Sequence, residues 1–329
     1  MCTALFFYDI HPTLLFLLAF NREEYQERPT EPAHFWQDHP DLLAARDLKG
    51  GGTWLGVTRS GRVAWLTNFR EPAFDRLKDA RSRGALPVDF LNSTLSPMQY
   101  LRTLRPEEYN GFNLCVADLV SGEIDYLTNR GKDAAGRGPL KLEHQLYGLS
   151  NGVLQDMWPK VEQGKQKVEA LMEDASVAQG SGVWDSLFDG VLGDRAKVTE
   201  ESQLPQTGMP ASVEQELSSI FVEPFQLKGA EYGTRSQTVL LVRRDGFAEL
   251  RERTLARNAV APPRLSKAPD SGERDPVAPG LSQRVNCPGA ADRAALGRLQ
   301  KGARAGSVTQ SVLLQPFLQL LPPVVAAQE

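Results

Sequence analysis

The chain has 329 residues, of which 41% are hydrophobic and 24% are charged, so it is long enough for one large globular domain or two small ones. A formal net charge of -4, with no Lys/Arg-rich patch interleaved with aromatics, gives no reason to expect a nucleic-acid partner. Three scattered cysteines and four histidines without ligand-like spacing predict neither a disulfide framework nor a metal site, and no cofactor is expected. Since every apolar run is too short to cross a bilayer, no transmembrane segment is expected.

The N-terminal part of the chain carries hairpin signals. Residues 3–9 and 13–20 are short apolar runs joined by a turn at residues 10–12, which predicts two buried strands. The polar stretch at residues 21–36 predicts a loop because it contains two prolines. A second hairpin is predicted within residues 53–68, where alternating apolar positions flank a Ser-Gly turn.

The following segments alternate between helical and hairpin patterns. Helical spacing is predicted at 82–104 (with Ser96 as N-cap), 156–175, 182–191 and 212–221, and further hairpins at 112–129 and 238–253. Consecutive antiparallel pairs with segregated helices predict an α+β fold in which helices cover the sheet, rather than a parallel βαβ sheet.

The composition changes near residue 256. Residues 256–329 hold 9 of the 22 prolines and a single aromatic, and they show no sustained helical or strand period. This composition predicts a domain at residues 1–255 followed by a low-complexity, disordered tail at residues 256–329.

Cys2 stands directly before the first predicted strand. Removal of Met1 would give Cys2 a thiol and a free α-amine, which together form an N-terminal nucleophile with its own base. The α-amine suits that role because it titrates near ~8. The competing interpretation is that Met1 is retained and Cys2 has no special role.

The string Asn21-Arg22-Glu23-Glu24 follows the second predicted strand. Antiparallel pairing of the first two strands would place Cys2 beside the start of this string. Arg22 is therefore expected to lower the pKa of the Cys2 thiol, with Glu23 or Glu24 orienting Arg22 or holding the ammonium. The alternative is a solvated charge cluster after a strand.

Three further polar residues stand at predicted strand ends. Asn68 and Asn151 each end a strand, and Arg235 begins the last hairpin. Side-chain amides at such positions suit the stabilisation of an oxyanion or the binding of a substrate amide. The alternative for the asparagines is ordinary turn chemistry.

Several segments, taken in order, resemble the NRDE-domain family. They are MCTALFFYD, AFNREEYQERPTEPAHFW, GGTWLGVTRSGRVAWLTNFREP, YNGFNLCVADL, YGLSN and EYGTRSQTVLLV, and together they cover about residues 1–255. The family is named for Asn-Arg-Asp-Glu. In this chain Glu23 takes the place of the Asp, which keeps the charge but lengthens the side chain.

The resemblance implies an αββα sandwich similar to the N-terminal-nucleophile (Ntn) hydrolases and, at its site, to the choloylglycine hydrolase and penicillin acylase branch. By this resemblance the catalytic set would be Cys2, Arg22 and Glu23, and the substrate-binding set Asn21, Glu24, Asn68, Asn151 and Arg235.

The resemblance also implies a role in the cell. Family members are linked to Golgi organisation and secretory transport, to lipid homeostasis around mitochondria and to haem movement. The first hypothesis is therefore an intracellular carrier of a lipid, an acyl-CoA or haem, cytoplasmic with Golgi and mitochondrial association and peripheral membrane contact. The second is a Cys2-dependent amidase or acyl hydrolase or transferase. The third is a structural adaptor that docks through its apolar tail.

Overall fold

The computed structural model describes residues 2–72, 76–131, 138–173, 182–255 and 308–314. Within them the strands are β1 (Cys2–Tyr8), β2 (Leu14–Tyr25), β3 (Thr30–Phe35), β4 (Leu42–Asp47), β5 (Leu55–Thr58), β6 (Arg62–Asn68), β7 (Phe112–Asp118), β8 (Glu123–Thr128), β9 (Leu140–Lys141), β10 (Tyr147–Leu149), β11 (Phe225–Leu227), β12 (Ala230–Arg243), β13 (Ala248–Thr254) and β14 (Val308–Leu313). The helices are α1 (Ala85–Leu91), α2 (Pro97–Thr103), α3 (Pro159–Glu173), α4 (Gly182–Asp185), which continues as a π-helical segment (Ser186–Val191), and α5 (Ala211–Glu216). Short 3-10 turns lie at Pro106–Glu108 and Glu201–Gln203.

The strands form two antiparallel sheets. Sheet A has the order β10-β1-β2-β12-β13-β14, with β11 paired to one end of β12. Sheet B has the order β3-β4-β5-β6-β7-β8-β9, in which every strand pairs with its neighbour along the chain. Sheet A is therefore assembled from distant parts of the chain, whereas sheet B is a meander.

Three apolar layers hold the sheets and helices together. Between the sheets, Phe6 of sheet A meets Trp65 of sheet B edge-on, with ring centroids 4.7 Å apart. Because successive strand residues point to opposite faces, Leu5 lies on the outer face of sheet A, in a cluster with Trp184 of α4. The outer face of sheet B is covered by α1 and α2, with Phe90 at its centre. The predicted αββα sandwich is confirmed by this layer order.

The local predictions are largely confirmed. β1 and β2 pair antiparallel with Cys2 opposite Arg22, and the other three predicted hairpins are β5–β6, β7–β8 and β12–β13. Ser96 caps α2 through a capping box with Gln99, which explains why the helix starts at Pro97. The predicted helix at 212–221 is shorter, since α5 ends at Glu216.

The predicted loop at residues 21–36 is wrong in two places. β2 continues to Tyr25 because β12 pairs along its whole length, with Tyr232 opposite Tyr25. β3 lies inside the same stretch although it contains Pro32. It is the edge strand of sheet B, and the register shifts around this proline, which has no N–H to offer the ladder.

The C-terminal segment also departs from expectation at one point. Within the segment predicted to be a disordered tail, β14 pairs with all but the first residue of β13, and Leu314 is buried in the core between the sheets. Gln310 Nε2 donates to the carbonyl of Ala33 at 2.5 Å, which ties β14 to β3. A short segment can be ordered by pairing with the edge of an existing sheet, even when its own sequence shows no strand-like alternation of apolar residues. The rest of the predicted tail, 256–307 and 315–329, lies outside the described residues, and the domain boundary near residue 255 stays a prediction.

Candidate functional site

A cavity of about 260 Å³ opens where β1 begins and β6 ends. Cys2 and Asn68 line it from the two sheets, and Arg22 and Glu24 line it from the far part of β2. The loop after β4 and residues 81–84 before α1 close the other sides. The antiparallel register is what brings Cys2 and Arg22 to one place, as the hairpin predicts.

Arg22 is held on the cavity wall by its neighbours. Its guanidinium lies 3.9 Å from the ring centroid of Trp54, in a cation–π contact. Its Nη2 lies 3.9 Å from Glu24 Oε2 and 4.0 Å from Asp47 Oδ2. Arg28 completes the group, since its Nη2 donates to Asp47 Oδ2 at 2.6 Å. Two arginines and two carboxylates thus form a paired network beside Cys2.

The Cys2 thiol is protonated at neutral pH. Burial raises its pKa to about 11, and the charge of Arg22 lowers it only in part. Arg22 therefore acts in the predicted direction, but the effect of burial is larger, so the net shift of the Cys2 pKa is upward while Met1 is in place. The physical reason is that a thiolate this deeply buried, with 6% of the residue exposed, loses more hydration than one nearby guanidinium replaces.

Glu23 belongs to a second group of charges, which we call the rear cluster: Glu23, Arg70, Lys160 and Glu214. All four side chains are buried, and Arg70 forms an ion pair with Glu214. Burial raises the pKa of Glu23 to about 7, against the positive charge of Lys160. Burial likewise lowers the pKa of Lys160 to about 8, against the negative charge of Glu23. Glu23 also reaches the cavity wall, so it links the rear cluster to Cys2.

Asn21 does not line the cavity, which differs from its predicted role in substrate binding. Its Nδ2 donates to the carbonyls of Leu192 at 2.8 Å and Ile220 at 2.9 Å. The alternation of side chains along β2 sends Asn21 to the helical layer and Arg22 to the cavity. Asn21 therefore fastens the chain after the π-helical segment to sheet A.

Asn151 and Arg235 are likewise placed behind the cavity wall. Asn151 Nδ2 donates to the carbonyl of Asn68 at 2.6 Å, so it positions a lining residue. Arg235 donates to the carbonyls of Tyr25 and Arg28, which fixes the turn between β2 and β3. Of the five predicted substrate-binding residues, the cavity is lined by Glu24 and Asn68.

A buried hydroxyl chain joins the strand ends around Cys2. Ser150 Oγ donates to the carbonyl of Cys2 at 3.1 Å, and Thr67 Oγ1 donates to the carbonyl of Ser150 at 2.6 Å. The segment after β10 is therefore bonded to both sheets at the level of the cavity. This bonding fixes Asn68 relative to Cys2.

Asn151 also lines a second, larger cavity of about 760 Å³. Its walls include Arg70 and Trp158, whose guanidinium-to-ring distance is 4.8 Å. The chain segment after β6 separates it from the Cys2 cavity. A volume of this size is in the range of small-molecule sites.

Sequence reasoning missed the residues that the loops contribute to the Cys2 cavity. Arg83 lies in a basic run before α1, and Arg28 and Asp47 follow β2 and end β4. Gly52 allows the closest contact, because a Cβ built on it would lie 2.2 Å from the carbonyl oxygen of Gly84. The Gly-rich string at residues 50–52 was the one feature of the sequence that could have indicated a close backbone contact here. Tight packing, rather than phosphate binding, accounts for these glycines.

Two observations concern the described residues alone. No group of His, Cys, Asp or Glu side chains among them has the arrangement of a metal site. None of the helices found there is both long enough and apolar enough to span a bilayer.

Known proteins resemble this chain over most of its length. The family model described as Transport and Golgi organisation 2 matches residues 1–257. The Transport and Golgi organization protein 2 homolog of Bos taurus is 35% identical over 281 residues, covering 78% of this chain and 93% of the relative. The Homo sapiens homolog is 35% identical over 274 residues, with 78% and 93% covered.

Among solved structures, the chain is similar to the Caenorhabditis elegans N-acylethanolamine-hydrolyzing acid amidase (NAAA) ortholog. The TM-score is 0.36 at 12% identity, over 56% of this chain and 89% of that chain. Because this TM-score is too low to support a conclusion about the fold, the αββα assignment rests on the layers described above. The family resemblance found in the sequence is confirmed by the family model and the mammalian relatives: the chain belongs to the Transport and Golgi organisation 2 family.

Proposed function

We propose that the chain is a carrier that binds the polar end of a lipid, an acyl-CoA or haem in the Cys2 cavity and holds it without turnover. The observation that supports this most directly is a cavity lined by Arg22, Arg28 and Arg83, in which burial raises the pKa of the Cys2 thiol. While Met1 is in place, the nitrogen of Cys2 is a peptide amide, so it supplies no base. Such a cavity favours binding over nucleophilic attack.

The size of the cavity defines which part of a ligand would enter. A volume of about 260 Å³ lies below the usual range for an entire small-molecule ligand. Acyl-CoA and haem both carry acidic groups at one end, and such a group would face the arginines that line the cavity. The apolar remainder of the ligand would stay outside this cavity.

This carrier would act in Golgi organisation and secretory transport, the processes for which the family is named. A cytoplasmic location with Golgi and mitochondrial association and peripheral membrane contact is part of the same proposal. Subcellular fractionation of cells that express the tagged chain would test the location, and recovery in another compartment would contradict it.

Binding measurements on a Cys2→Ser variant test the carrier proposal. Palmitoyl-CoA and hemin are titrated separately into the wild-type chain, Cys2→Ser and Arg22→Gln, with thermal melting to confirm folding. A carrier should keep its dissociation constant within about threefold in Cys2→Ser. Arg22→Gln should weaken binding about tenfold or more, since it leaves the charges of Glu24 and Asp47 in excess beside the acidic group of the ligand. Loss of all binding in Cys2→Ser would argue against a carrier.

A second candidate function is acyl transfer through Cys2 after removal of Met1. It is favoured by one observation: Cys2, Arg22 and Asn68 meet at one cavity. The thiol would attack a carbonyl carbon while the α-amine of Cys2 takes the thiol proton and returns it to the leaving group. Asn68 would donate to the oxyanion that forms.

Mass spectrometry of the N-terminal peptide separates these two functions. Protein purified from cells that starts at Cys2 with a free amine would support acyl transfer, and Cys2 should then react with iodoacetamide faster than the buried Cys115. A retained Met1, or an acetylated Cys2, would mean that Cys2 has no amine to act as its base, and this result would favour the carrier function.

A further inference from the structure

The arginines that line the Cys2 cavity differ in their partners. Arg22 lies within ion-pair distance of Glu24 and Asp47, and Arg28 pairs with the same two carboxylates. These two positive charges are therefore balanced by two negative ones inside the protein. A ligand anion at this wall would compete with carboxylates that are already in place.

Residues 81–84, before α1, contribute Arg81 and Arg83 to the cavity wall. Arg81 is exposed and its Nη1 lies 2.9 Å from Glu108 Oε2. Arg83 is half-buried, and its side chain bonds to a neutral group: Nη1 donates to the carbonyl of Gly111 at 2.7 Å. Among the described residues, no carboxylate lies within ion-pair distance of Arg83.

Arg83 thus gives up water without a direct ion pair among the described residues, and the negative charges of Glu71 and Glu24 act on it only from longer range. Burial, together with the like charge of Arg76, lowers its pKa to about 10. Holding a partly desolvated cation is costly unless an anion pairs with it. The guanidinium has five N–H donors in a planar fork, so donors remain after the bond to Gly111.

We propose that Arg83 is the residue that recognises an anionic group of the ligand, a carboxylate or a phosphate, in the cavity that contains Cys2. A planar guanidinium suits both anions because each offers two oxygens to its fork. This inference rests on the proposed binding role of the cavity and names the chemistry it selects. It assigns the balanced pair of Arg22 and Arg28 to shaping the wall and Arg83 to selecting the ligand.

Alkylation of Cys2 by a charged and a neutral reagent tests this assignment without a natural ligand. Iodoacetate and iodoacetamide form the same S–C bond, release iodide and leave the thiol proton to the solvent, and they differ in the negative charge. The measured quantity is the ratio of the two rates at Cys2, read from peptide masses. The ratio for N-acetylcysteine in the same solution serves as the reference.

We expect Arg83→Gln to lower the iodoacetate-to-iodoacetamide ratio at Cys2 about fivefold, as loss of one nearby charge at intermediate dielectric predicts. Arg83→Lys keeps the charge and should retain most of the ratio. Arg105→Gln removes a surface charge that is 76% exposed at its side chain, and should leave the ratio unchanged. Thermal melting of each variant confirms that it folds.

An unchanged ratio in Arg83→Gln would overturn the proposal. A Cys2 that stays unmodified even at about pH 9, where a small fraction of its thiol is ionised, would overturn it as well, since an anion could not reach Arg83 either. Competition by inorganic phosphate and by acetate at equal ionic strength then identifies the group: stronger protection by phosphate assigns a phosphate, and the reverse assigns a carboxylate. If the ratio falls but palmitoyl-CoA and hemin do not bind, the anion site stands and the carrier proposal fails.

Discussion

The two sides of β2 carry the same types of residue into different environments. On the cavity side, Arg22 and Glu24 join a network in which the side chains of Glu24 and Asp47 keep 18% and 17% exposure. On the other side, Glu23 joins the rear cluster, whose pair Arg70 and Glu214 keeps 3% and 2%. The difference teaches that one charged string serves two purposes. The cavity side stays accessible to a ligand, whereas the rear cluster is part of the folded core.

The largest expected effect comes from breaking the rear cluster. Arg70→Met leaves Glu214 buried without its ion-pair partner, so the free energy of unfolding should fall by about 3–5 kcal/mol. Urea denaturation measures the change. The double variant Arg70→Met/Glu214→Leu should lie closer to the wild type, because no unpaired charge remains. A double variant less stable than the single one would contradict this view of the cluster.

The pH dependence of stability should separate Glu23 from its neighbour Glu24. The pKa of Glu23 rises from 4.5 to about 7 in the folded chain, so between these values the folded state binds more protons than the unfolded state. Stability should therefore fall as the pH rises from 4.5 to 7, by on the order of 3 kcal/mol for this group. Buried Glu252, whose pKa is also about 7, adds a similar share.

Glu23→Gln should remove its share of that fall, as followed by urea denaturation across this pH range. Glu24→Gln is the matched control, because the pKa of Glu24 is lowered and its effect lies at more acidic pH. If the free energy of unfolding falls with pH equally in the wild type and in Glu23→Gln, the distinction between the two sides of β2 is wrong.

A smaller effect should distinguish Asn21 from Asn68. Asn21→Ala removes two hydrogen bonds to buried carbonyls, so we expect a loss of about 2 kcal/mol in the free energy of unfolding. Asn68→Ala removes a side chain at the cavity, and its loss should stay under about 1 kcal/mol. Thermal and urea unfolding of both variants decide this. A larger loss in Asn68→Ala than in Asn21→Ala would contradict this view, because the side chain at the cavity would then contribute more to stability than the bonds to the helical layer.

The fold follows from the sequence where the signals are local. Hairpins with Ser-Gly or Asp-Gly turns and the Ser96 cap were predictable because a few adjacent residues determine them. The extension of β2 through the charged string was not, because it depends on β12, whose partner residues lie about 200 positions away. Strand β14 is a similar case, since its order comes from the edge of β13.

The candidate site divides in the same way. Cys2 beside Arg22 followed from the hairpin alone. The period of two along β2 would also have separated Asn21 from Arg22, had the strand been extended to Tyr25. Arg83 and Lys160 carry no motif, and only the packing of α1 and α3 against the sheets brings them to the site. The raised pKa of Cys2 reflects burial, which a pairing argument does not include.

The contact between Gly52 and Gly84 makes the shape of the cavity sensitive to a single substitution. Backbone meets backbone there, so no change of side-chain rotamer at these two positions can relieve a closer approach. A single added methyl at position 52 would have to displace the chain that carries Arg83, because the space for it is occupied by a carbonyl. The substitution Gly52→Ala, which adds one methyl group, would therefore alter ligand selection although every charged residue of the cavity is kept.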